Sequence, residues 1–232
     1  MLTPSAAPAP RTRDVFVTGG TGYIGQRLVP LLLARGHRVR MLARPSATSR
    51  IPPGATAVIG NALVADTFSE SLRGADTLIH LVGTPHPSPR KAAEFERVDL
   101  GSIMASVRAG GRVGIAHTVY VSVAHPAPVM HAYIAARVAG EAAIANAGLT
   151  ATILRPWYVV GPGHMWALAL TPFYALGKLL PQTRDGALRL GLVTLEQMVN
   201  ALAVAVESPP DRGIRVWDVP AIRSRGAARW TA

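Results

Sequence analysis

The sequence predicts an α/β fold, a doubly wound parallel sheet with helices on both faces. Two observations predict it. Strand-like and helix-like segments alternate along nearly the whole chain, and a glycine-rich turn separates the first strand from the first helix. The 232 residues suit one domain, and the 49% of apolar residues supply a core that excludes global disorder.

The first 42 residues have the pattern of a strand, a glycine turn, a helix and a second strand. Residues 14–18 form a β-branched and aromatic run that predicts the first strand. Apolar residues at helical spacing across 23–34 predict a helix that Gly36 ends, and 38–42 predict the next strand. Such a βαβ unit implies parallel strands and a right-handed crossover.

The same alternation continues along the chain. Further strands are predicted at 56–59, 76–82, 118–122, 150–154 and 214–218. Helices are predicted at 66–73, 94–109, 131–146 and 194–207, the last opened by a capping box of Thr194 and Gln197. We therefore expect a flexible tail at 1–12 and a single domain at 13–232. Within that domain, we expect residues 157–190, rich in Pro, Gly and aromatics, to form a small substrate-side lid.

The net charge of +11 raises the question of a nucleic-acid partner. Lys91 and Lys178 are the only lysines, and the arginines are scattered without a basic helix or arm. We attribute the arginine excess mainly to codon bias, so nucleic acid is not the expected partner.

The chain has no cysteine, which excludes disulfides, thiolate metal sites and cysteine nucleophiles. The histidines lack the spacing of a metal site, so no metal is expected. No secretory signal and no apolar run of about 18 residues is visible, so we expect a cytoplasmic protein without a membrane partner.

The turn after the first strand carries the strongest functional signal. Gly19, Gly22 and Gly25 form a G-x-x-G-x-x-G pattern at a strand-to-helix junction. The first glycine allows the tight turn, the second lets a pyrophosphate approach the backbone, and the third lets the helix pack closely on the strand. Free N–H groups at the helix start favour the phosphates. The pattern predicts dinucleotide binding.

The segment Thr18-Gly-Gly-Thr-Gly-Tyr-Ile-Gly25 resembles the short-chain dehydrogenase/reductase superfamily, in its extended and atypical branches. It is similar to epimerase/dehydratase-like proteins, to NmrA-like regulators and to an accessory subunit of respiratory complex I. The resemblance spans residues 14–218 and implies a Rossmann fold with a reduced C-terminal substrate lobe. In the turn itself it implies cofactor contacts from Gly19, Thr21, Gly22, Tyr23, Ile24 and Gly25.

The end of the second strand indicates which nicotinamide cofactor is bound. An NAD-binding protein needs an acidic residue there for the ribose 2′-hydroxyl, and residues 41–45 contain none. They contain Arg44, whose guanidinium can pair with a 2′-phosphate, whereas Arg40 is a weaker candidate. We therefore expect NADP(H) in preference to NAD(H), although Arg44 could be one more surface arginine.

Further positions match the superfamily loosely. The resemblance implies that Asn61 contacts adenine and that the stretch Leu81, Val82 and Gly83 lies under the adenosine ribose. It also implies that Pro156 and Trp157 pass close to the nicotinamide. Asp99 falls where the family usually has asparagine. For Asp99 and His80, ordinary core or cap roles remain as open as functional ones.

The resemblance also implies a catalytic set of a tyrosine, a lysine four residues later and a preceding serine. Here the set is Tyr133 as general acid/base, Arg137 in place of the lysine and Ser122 as the residue that orients the substrate oxygen. Arginine keeps a positive charge and can hold ribose hydroxyls, but it cannot pass on a proton as lysine can. Whether Arg137 supports turnover therefore stays open.

Two functions remain open on these residues. The first is an NADP(H)-dependent oxidoreductase or epimerase-like enzyme that acts on a small, rather apolar carbonyl or alcohol. The second is a catalytically weak or silent NADP(H)-binding regulatory or accessory protein. The apolar stretch at 164–180 could be a lid, core packing or an interface, and a homodimer or another protein partner is compatible with either function.

Overall fold

The computed structural model describes residues 11–165, 186 and 188–227, in which nine strands are found. They are β1 Asp14–Thr18, β2 Arg38–Ala43, β3 Thr56–Ile59, β4 Thr77–His80, β5 His117–Val121, β6 Ala151–Leu154, β7 Tyr158–Val160, β8 Leu192–Thr194 and β9 Ile214–Trp217. Seven of them form one parallel sheet in the order β3-β2-β1-β4-β5-β6-β9, and β7 pairs with β8 in a small parallel sheet. The order reverses between β1 and β4, which is where doubly wound sheets bind their ligands.

Helices cover both faces of the large sheet. They are α1 Gly25–Ala34, α2 Ser69–Leu72, α3 Ala92–Glu94, α4 Gly101–Val113, α5 His131–Asn146, α6 Leu195–Glu207 and α7 Val219–Gly226. A π-helical turn, Phe95–Leu100, joins α3 to α4, and short 3-10 turns lie at Pro45–Arg50, Ala65–Thr67 and Pro89–Lys91.

The core has two layers, one on each face of the sheet. On one face, Leu28 and Leu32 lie four residues apart on α1 and pack with Leu202 of α6. On the other face, Ile103 of α4 and Ile144 of α5 pack in one apolar cluster. All five side chains are fully buried, and each such burial is worth about 1.5–3 kcal/mol. The two layers hold the carboxyl ends of the strands in fixed relative positions.

The predicted doubly wound sheet is confirmed, and the helix predicted at 131–146 has those bounds in the structure. The capping box is also confirmed, because Thr194 Oγ1 accepts from the Gln197 N–H at 3.1 Å and Gln197 Oε1 accepts from the Thr194 N–H at 3.0 Å.

Several predicted bounds were wrong. The strand predicted at 76–82 ends at His80, because Leu81 and Val82 turn to pack against Gly19. The helix predicted at 66–73 is divided at Phe68 into a 3-10 turn and α2. The strand pair β7–β8, helix α7 and the π-helical turn were not predicted.

Two predicted segments lie mostly outside the described residues, namely 1–10 of the tail and 166–185 of the lid. Within the described ranges, no helix combines the length and the apolar character needed to cross a bilayer. In the same ranges, no group of three or more His, Asp or Glu side chains is arranged to hold a metal ion.

Candidate functional site

The glycine turn lies between β1 and α1 at the switch point of the sheet. Gly19 has a φ of +76°, and a Cβ there would lie 2.7 Å from the backbone of Leu81 and Val82. A Cβ on Gly25 would overlap the backbone of Gly20, so helix α1 packs directly on the turn. Both positions require glycine for the geometric reasons that the sequence predicted.

The open side of this turn fits a dinucleotide. Gly22 is exposed, and a Cβ there would meet only the Gly19 carbonyl oxygen, at 3.2 Å. A pyrophosphate could therefore approach its α-carbon while the N-terminus of α1 favours the negative charge. Beside it, the buried Tyr23 hydroxyl has no hydrogen-bond partner among the described residues. The residues present fit a nicotinamide dinucleotide.

The carboxyl ends of β2 and β3 form the neighbouring part of this edge, where the sequence places the adenosine. Arg44 follows β2, is exposed and makes no ion pair with any residue that the structure describes. The Asn61 side-chain oxygen accepts from the Leu63 N–H at 3.0 Å, so its amide NH₂ is the group that could donate to a base. The Arg40 guanidinium is bound to Asp14 at 2.7 Å, which gives that weaker candidate a structural role.

A cavity of about 210 Å³ lies at the carboxyl edge beside the glycine turn. It is lined by Tyr23, Ile24, Leu81, Pro87, Val121, Ser122, Val123, Tyr133, Arg137, Pro156, Trp157, Tyr158, Val159 and His164. The structure thus brings the three predicted catalytic residues together with five of the predicted cofactor-binding residues. Thr21 and Val82 are not among the residues that line it.

Tyr133 lies in the first turn of α5 and forms part of the cavity wall. Its half-buried ring meets the ring of Phe95 edge-on, with 5.0 Å between centroids. The guanidinium carbon of Arg137, one helical turn further, lies 5.2 Å from the Tyr133 ring centroid. The predicted cation–tyrosine pair therefore exists on one face of α5.

Arg137 is buried, and its guanidinium is held by groups from other elements. Nη1 donates to the Val121 carbonyl oxygen at 2.8 Å, and Nη2 lies 2.6 Å from Asp99 Oδ1. Burial lowers the pKa of the guanidinium, but Tyr133, Tyr120 and Asp99 raise that pKa by more, so Arg137 stays charged. The arginine is therefore a fixed cation that the protein itself partly neutralises.

Asp99 comes from the π-helical turn and is fully buried. Its second oxygen, Oδ2, accepts from the Thr84 N–H at 3.0 Å and from the Thr84 hydroxyl at 2.6 Å. The sequence left the role of Asp99 open. Its role as ion-pair partner of Arg137 could not be predicted, because 38 positions separate the two in the sequence and only the packing of the π-helical turn on α5 joins them.

Ser122 is buried at the end of β5, and its hydroxyl donates to Glu141 Oε1 at 2.5 Å. Arg155 Nε donates to the same oxygen at 3.0 Å, and its Nη2 contacts the other carboxylate oxygen. His125 Nε2 lies 3.8 Å from Glu141 Oε1. Sequence reasoning missed Glu141, although its position four residues after Arg137 on α5 was an available signal.

His80 is buried under the site. Its Nδ1 lies 2.9 Å from Thr18 Oγ1 and 3.0 Å from Ser106 Oγ, and its Nε2 lies 3.2 Å from Ser102 Oγ. Burial, with a further effect of Arg137, lowers the pKa of His80 to about 3. The imidazole is therefore neutral and belongs to a core network of hydroxyl groups.

A doubly wound parallel sheet with a glycine turn at its switch point is the arrangement of dinucleotide-binding Rossmann proteins, a class that includes the short-chain dehydrogenases and reductases. A family model described as NAD(P)H-binding matches residues 19–162. The chain belongs to this NAD(P)H-binding family.

Curated relatives are named as reductases and dehydrogenases. A ceramide reductase of Caulobacter vibrioides is 27% identical over 197 residues, which are 84% of this chain and 61% of the relative. A 4-hydroxy-2-methyl-3-oxo-4-farnesyl-3,4-dihydroquinoline-1-oxide ketoreductase of Stigmatella aurantiaca is 29% identical over 168 residues, which are 63% of this chain and 50% of the relative. The chain thus spans between half and two thirds of the length of these relatives.

Solved structures share the fold. The enzyme WbmH of Bordetella bronchiseptica, in complex with NAD+, has a TM-score of 0.67 and 21% identity, covering 92% of this chain and 79% of WbmH. DesIV, a dTDP-glucose 4,6-dehydratase of Streptomyces venezuelae, has a TM-score of 0.64 and 19% identity, covering 89% of this chain and 75% of DesIV. These likenesses support the Rossmann fold.

Proposed function

We propose that the protein binds NADP(H) and catalyses hydride transfer between its nicotinamide and a small, rather apolar carbonyl or alcohol substrate. The observation that carries this proposal is that Ser122, Tyr133 and Arg137 line one cavity together with the glycine-turn residues Tyr23 and Ile24. A proton donor, a fixed cation and the cofactor turn are thereby within one small volume.

The cofactor would lie along the carboxyl edge of the sheet. The glycine turn would hold the pyrophosphate, Asn61 the adenine and Arg44 the 2′-phosphate, while Pro156 and Trp157 would border the nicotinamide. When bound, the nicotinamide supplies or accepts the hydride. The chain's own residues position the substrate, exclude water and move the proton.

Tyr133 is the proposed proton carrier. In carbonyl reduction, its phenol would donate the proton to the substrate oxygen as hydride reaches the carbon, and oxidation would run in reverse. Arg137 would stabilise the resulting tyrosinate. Because the Ser122 hydroxyl donates to Glu141, its oxygen is suited to accept a hydrogen bond from a substrate alcohol rather than to donate one to a carbonyl.

An apolar substrate is favoured by the cavity wall, to which Trp157, Tyr158 and Val159 contribute. The compounds in the names of two relatives are consistent with an apolar substrate, since ceramides and farnesylated quinolines are largely apolar. The cavity therefore supports a substrate that is recognised mainly by apolar contacts, with few polar groups at the reacting carbon.

Replacing the proton carrier tests the proposed chemistry. Tyr133→Phe is expected to lower kcat by about 10²–10⁴-fold on a substrate found by an NADPH-oxidation screen, because only the phenolic oxygen is removed. Fluorescence titration should show unchanged NADPH affinity. Tyr158→Phe, on the same wall, is the matched control. Full turnover by Tyr133→Phe would contradict the mechanism.

The proposed preference for NADP(H) depends on Arg44. We expect Arg44→Ala to weaken NADPH binding by about 10–100-fold with little effect on NADH, since a charge-assisted hydrogen bond contributes about 1.5–3 kcal/mol. Arg50→Ala, in the same exposed turn, is the control. An equal loss for both cofactors would mean that Arg44 does not contact the 2′-phosphate.

A second candidate function is a catalytically weak or silent NADP(H)-binding regulatory or accessory protein. It is favoured by the internal partners of Arg137 and Ser122, since both side chains are already bound to other residues. It predicts cofactor binding without turnover across a broad panel of carbonyls and alcohols. A protein partner, either a second copy or another chain, would then be recovered in cross-linking. Robust turnover of any small molecule would contradict this alternative.

A further inference from the structure

The ion pair between Arg137 and Asp99 carries an inference that goes beyond the cofactor and the proton carrier. Both side chains are almost wholly buried, at 5% and 0% exposure. Burying two charges costs free energy, and that cost is offset only where hydrogen bonds and good geometry surround the pair. Here Arg137 lines the same cavity as Tyr133.

We propose that Asp99 is a positioning residue that fixes the guanidinium of Arg137 and sets how strongly its charge acts on the hydroxyl of Tyr133. This inference rests on the proposed function, in which Tyr133 moves a proton. In this proposal, the negative charge of Asp99 partly offsets the positive charge of Arg137, which by itself would favour the ionised form of Tyr133.

The carboxylate is held by donors from a different part of the chain. Both hydrogen bonds from Thr84 go to Oδ2, which leaves Oδ1 for Arg137. The guanidinium in turn needs Gly83, because a Cβ there would overlap Arg137 Nη2. The loop after β4 therefore fixes Asp99, and Asp99 with the Val121 carbonyl fixes Arg137.

The electrostatic consequence follows from the distances. The guanidinium carbon is 5.2 Å from the Tyr133 ring centroid, and the Asp99 carboxylate oxygen is 2.6 Å from Nη2 of the same guanidinium. A lone cation beside a phenol favours its ionised form. A cation paired with an anion acts as a dipole, whose effect is weaker.

Other charged side chains around Tyr133 have a weaker electrostatic effect on its hydroxyl group. On the segments packed against α5, Arg90, Glu96, Arg97 and Arg108 are exposed, and Lys91 is half-buried, so water screens them. Tyr120 lies beneath Arg137, and among the residues that the structure describes, the titratable groups that line the cavity with Tyr133 and Arg137 are Tyr23, Tyr158 and His164. Among the described residues, the Arg137–Asp99 pair is thus the buried charged feature next to Tyr133.

The test is an ultraviolet titration of tyrosinate absorbance in the cofactor-free protein. The signal of Tyr133 is isolated by subtracting the titration of the same protein carrying Tyr133→Phe. We expect Asp99→Asn to lower the Tyr133 titration midpoint by about one pH unit or more, because the cation loses its neutralising partner. Asp66→Asn, which breaks the exposed pair with Arg112, should leave the midpoint unchanged.

An unchanged or raised midpoint in Asp99→Asn would overturn the inference. If Asp99→Asn does not fold, the same replacement is made in a protein that carries Arg137→Lys, where the asparagine oxygen can hold the smaller ammonium. The Tyr133 midpoint of this double variant is then expected to be lower than that of Arg137→Lys alone, by about the same amount. In an active enzyme, the acid limb of the pH profile for alcohol oxidation should move down with the midpoint. The titration needs neither cofactor nor turnover, so it separates a failure of this inference from a failure of the proposed oxidoreductase function.

Discussion

At the scale of single residues, arginine in place of lysine changes what surrounds the cation. A guanidinium presents a planar set of donors and is always charged, so it can be held by two acceptors at once. Arg137 uses this property, because Val121 and Asp99 each take one of its terminal nitrogens. In this chain, the arginine at position 137 is therefore paired with an aspartate at position 99.

The space for that guanidinium is provided by Gly83, which gives a prediction at the same scale. We expect Gly83→Ala to lower the free energy of unfolding by about 1–3 kcal/mol, because the new methyl group would displace the buried Arg137. Gly111→Ala is the matched control, since a Cβ there would meet no neighbouring residue and alanine favours the helix by up to about 1 kcal/mol. Urea unfolding measures both, and equal stability of the two variants would contradict the prediction.

How much of the site could be predicted from the sequence depends on whether a residue acts locally. The glycine turn was predictable, because Gly19 and Gly25 act within one strand-to-helix junction. The pairing of Tyr133 and Arg137 was predictable, because four residues on a helix place side chains together. The ion pair between Asp99 and Arg137 was not predictable, since it depends on packing between elements far apart in sequence. Glu141 could have been placed on the helix face of Arg137, but its contacts with Ser122 and Arg155 depend on tertiary packing.

At the scale of secondary-structure elements, regular periodicity decided which predictions were correct. Helix α5 has sixteen residues, and its bounds were predicted without error. Strands β7 and β8 have three residues each and pair across more than thirty positions, so neither periodicity nor local turns could predict them. The π-helical turn similarly depends on packing against α5.

Buried histidines link neighbouring elements, and they give a prediction on pH. His117 of β5 bridges Thr77 on β4 and Thr152 on β6, and its pKa is lowered to about 3 by burial and by Arg215 and Arg13. Burial and Arg137 likewise lower the pKa of His80 to about 3. A histidine that is neutral when folded takes up a proton on unfolding below about pH 6.5, so stability is lost as the pH falls from there towards 3.

Each such histidine should contribute a slope of about 1.4 kcal/mol per pH unit to the free energy of unfolding between pH 6 and pH 4. His117→Asn is expected to reduce the total slope by about that amount. His131→Gln, at an exposed position on α5, should keep the parental slope. Urea denaturation at several pH values measures this, and an unaltered slope in His117→Asn would contradict the assignment of a neutral buried imidazole.

At the scale of the whole molecule, several arginines form contacts between elements that are far apart in the sequence. Arg35, which directly follows α1, binds Glu207 on α6 at 3.0 Å, Arg155 binds Glu141, and Arg215 and Arg225 lie over the ring of Trp217. Within the described ranges, these four arginines contribute to contacts between elements. That nucleic acid is not the partner stays a prediction from the sequence.

Cofactor binding should stabilise the whole molecule by mass action. At a cofactor concentration 100 times its Kd, the free energy of unfolding rises by about 2.7 kcal/mol, which for a chain of this size corresponds to about 5–10 °C in Tm. We expect this shift with NADPH and a smaller one with NADH at the same concentration. Thermal melts at matched concentrations check it, and the absence of a shift with either cofactor would contradict dinucleotide binding.

The pairing of α1 with α6 has a consequence for synthesis on the ribosome. Arg35 and Glu207 are 172 positions apart, and the apolar face of α1 is closed by residues that are translated late. A nascent chain that already contains the whole glycine turn would still expose Leu28 and Leu32 to water. The strands β1 and β2 can support α1 early, but its burial is complete only after α6 has left the exit tunnel.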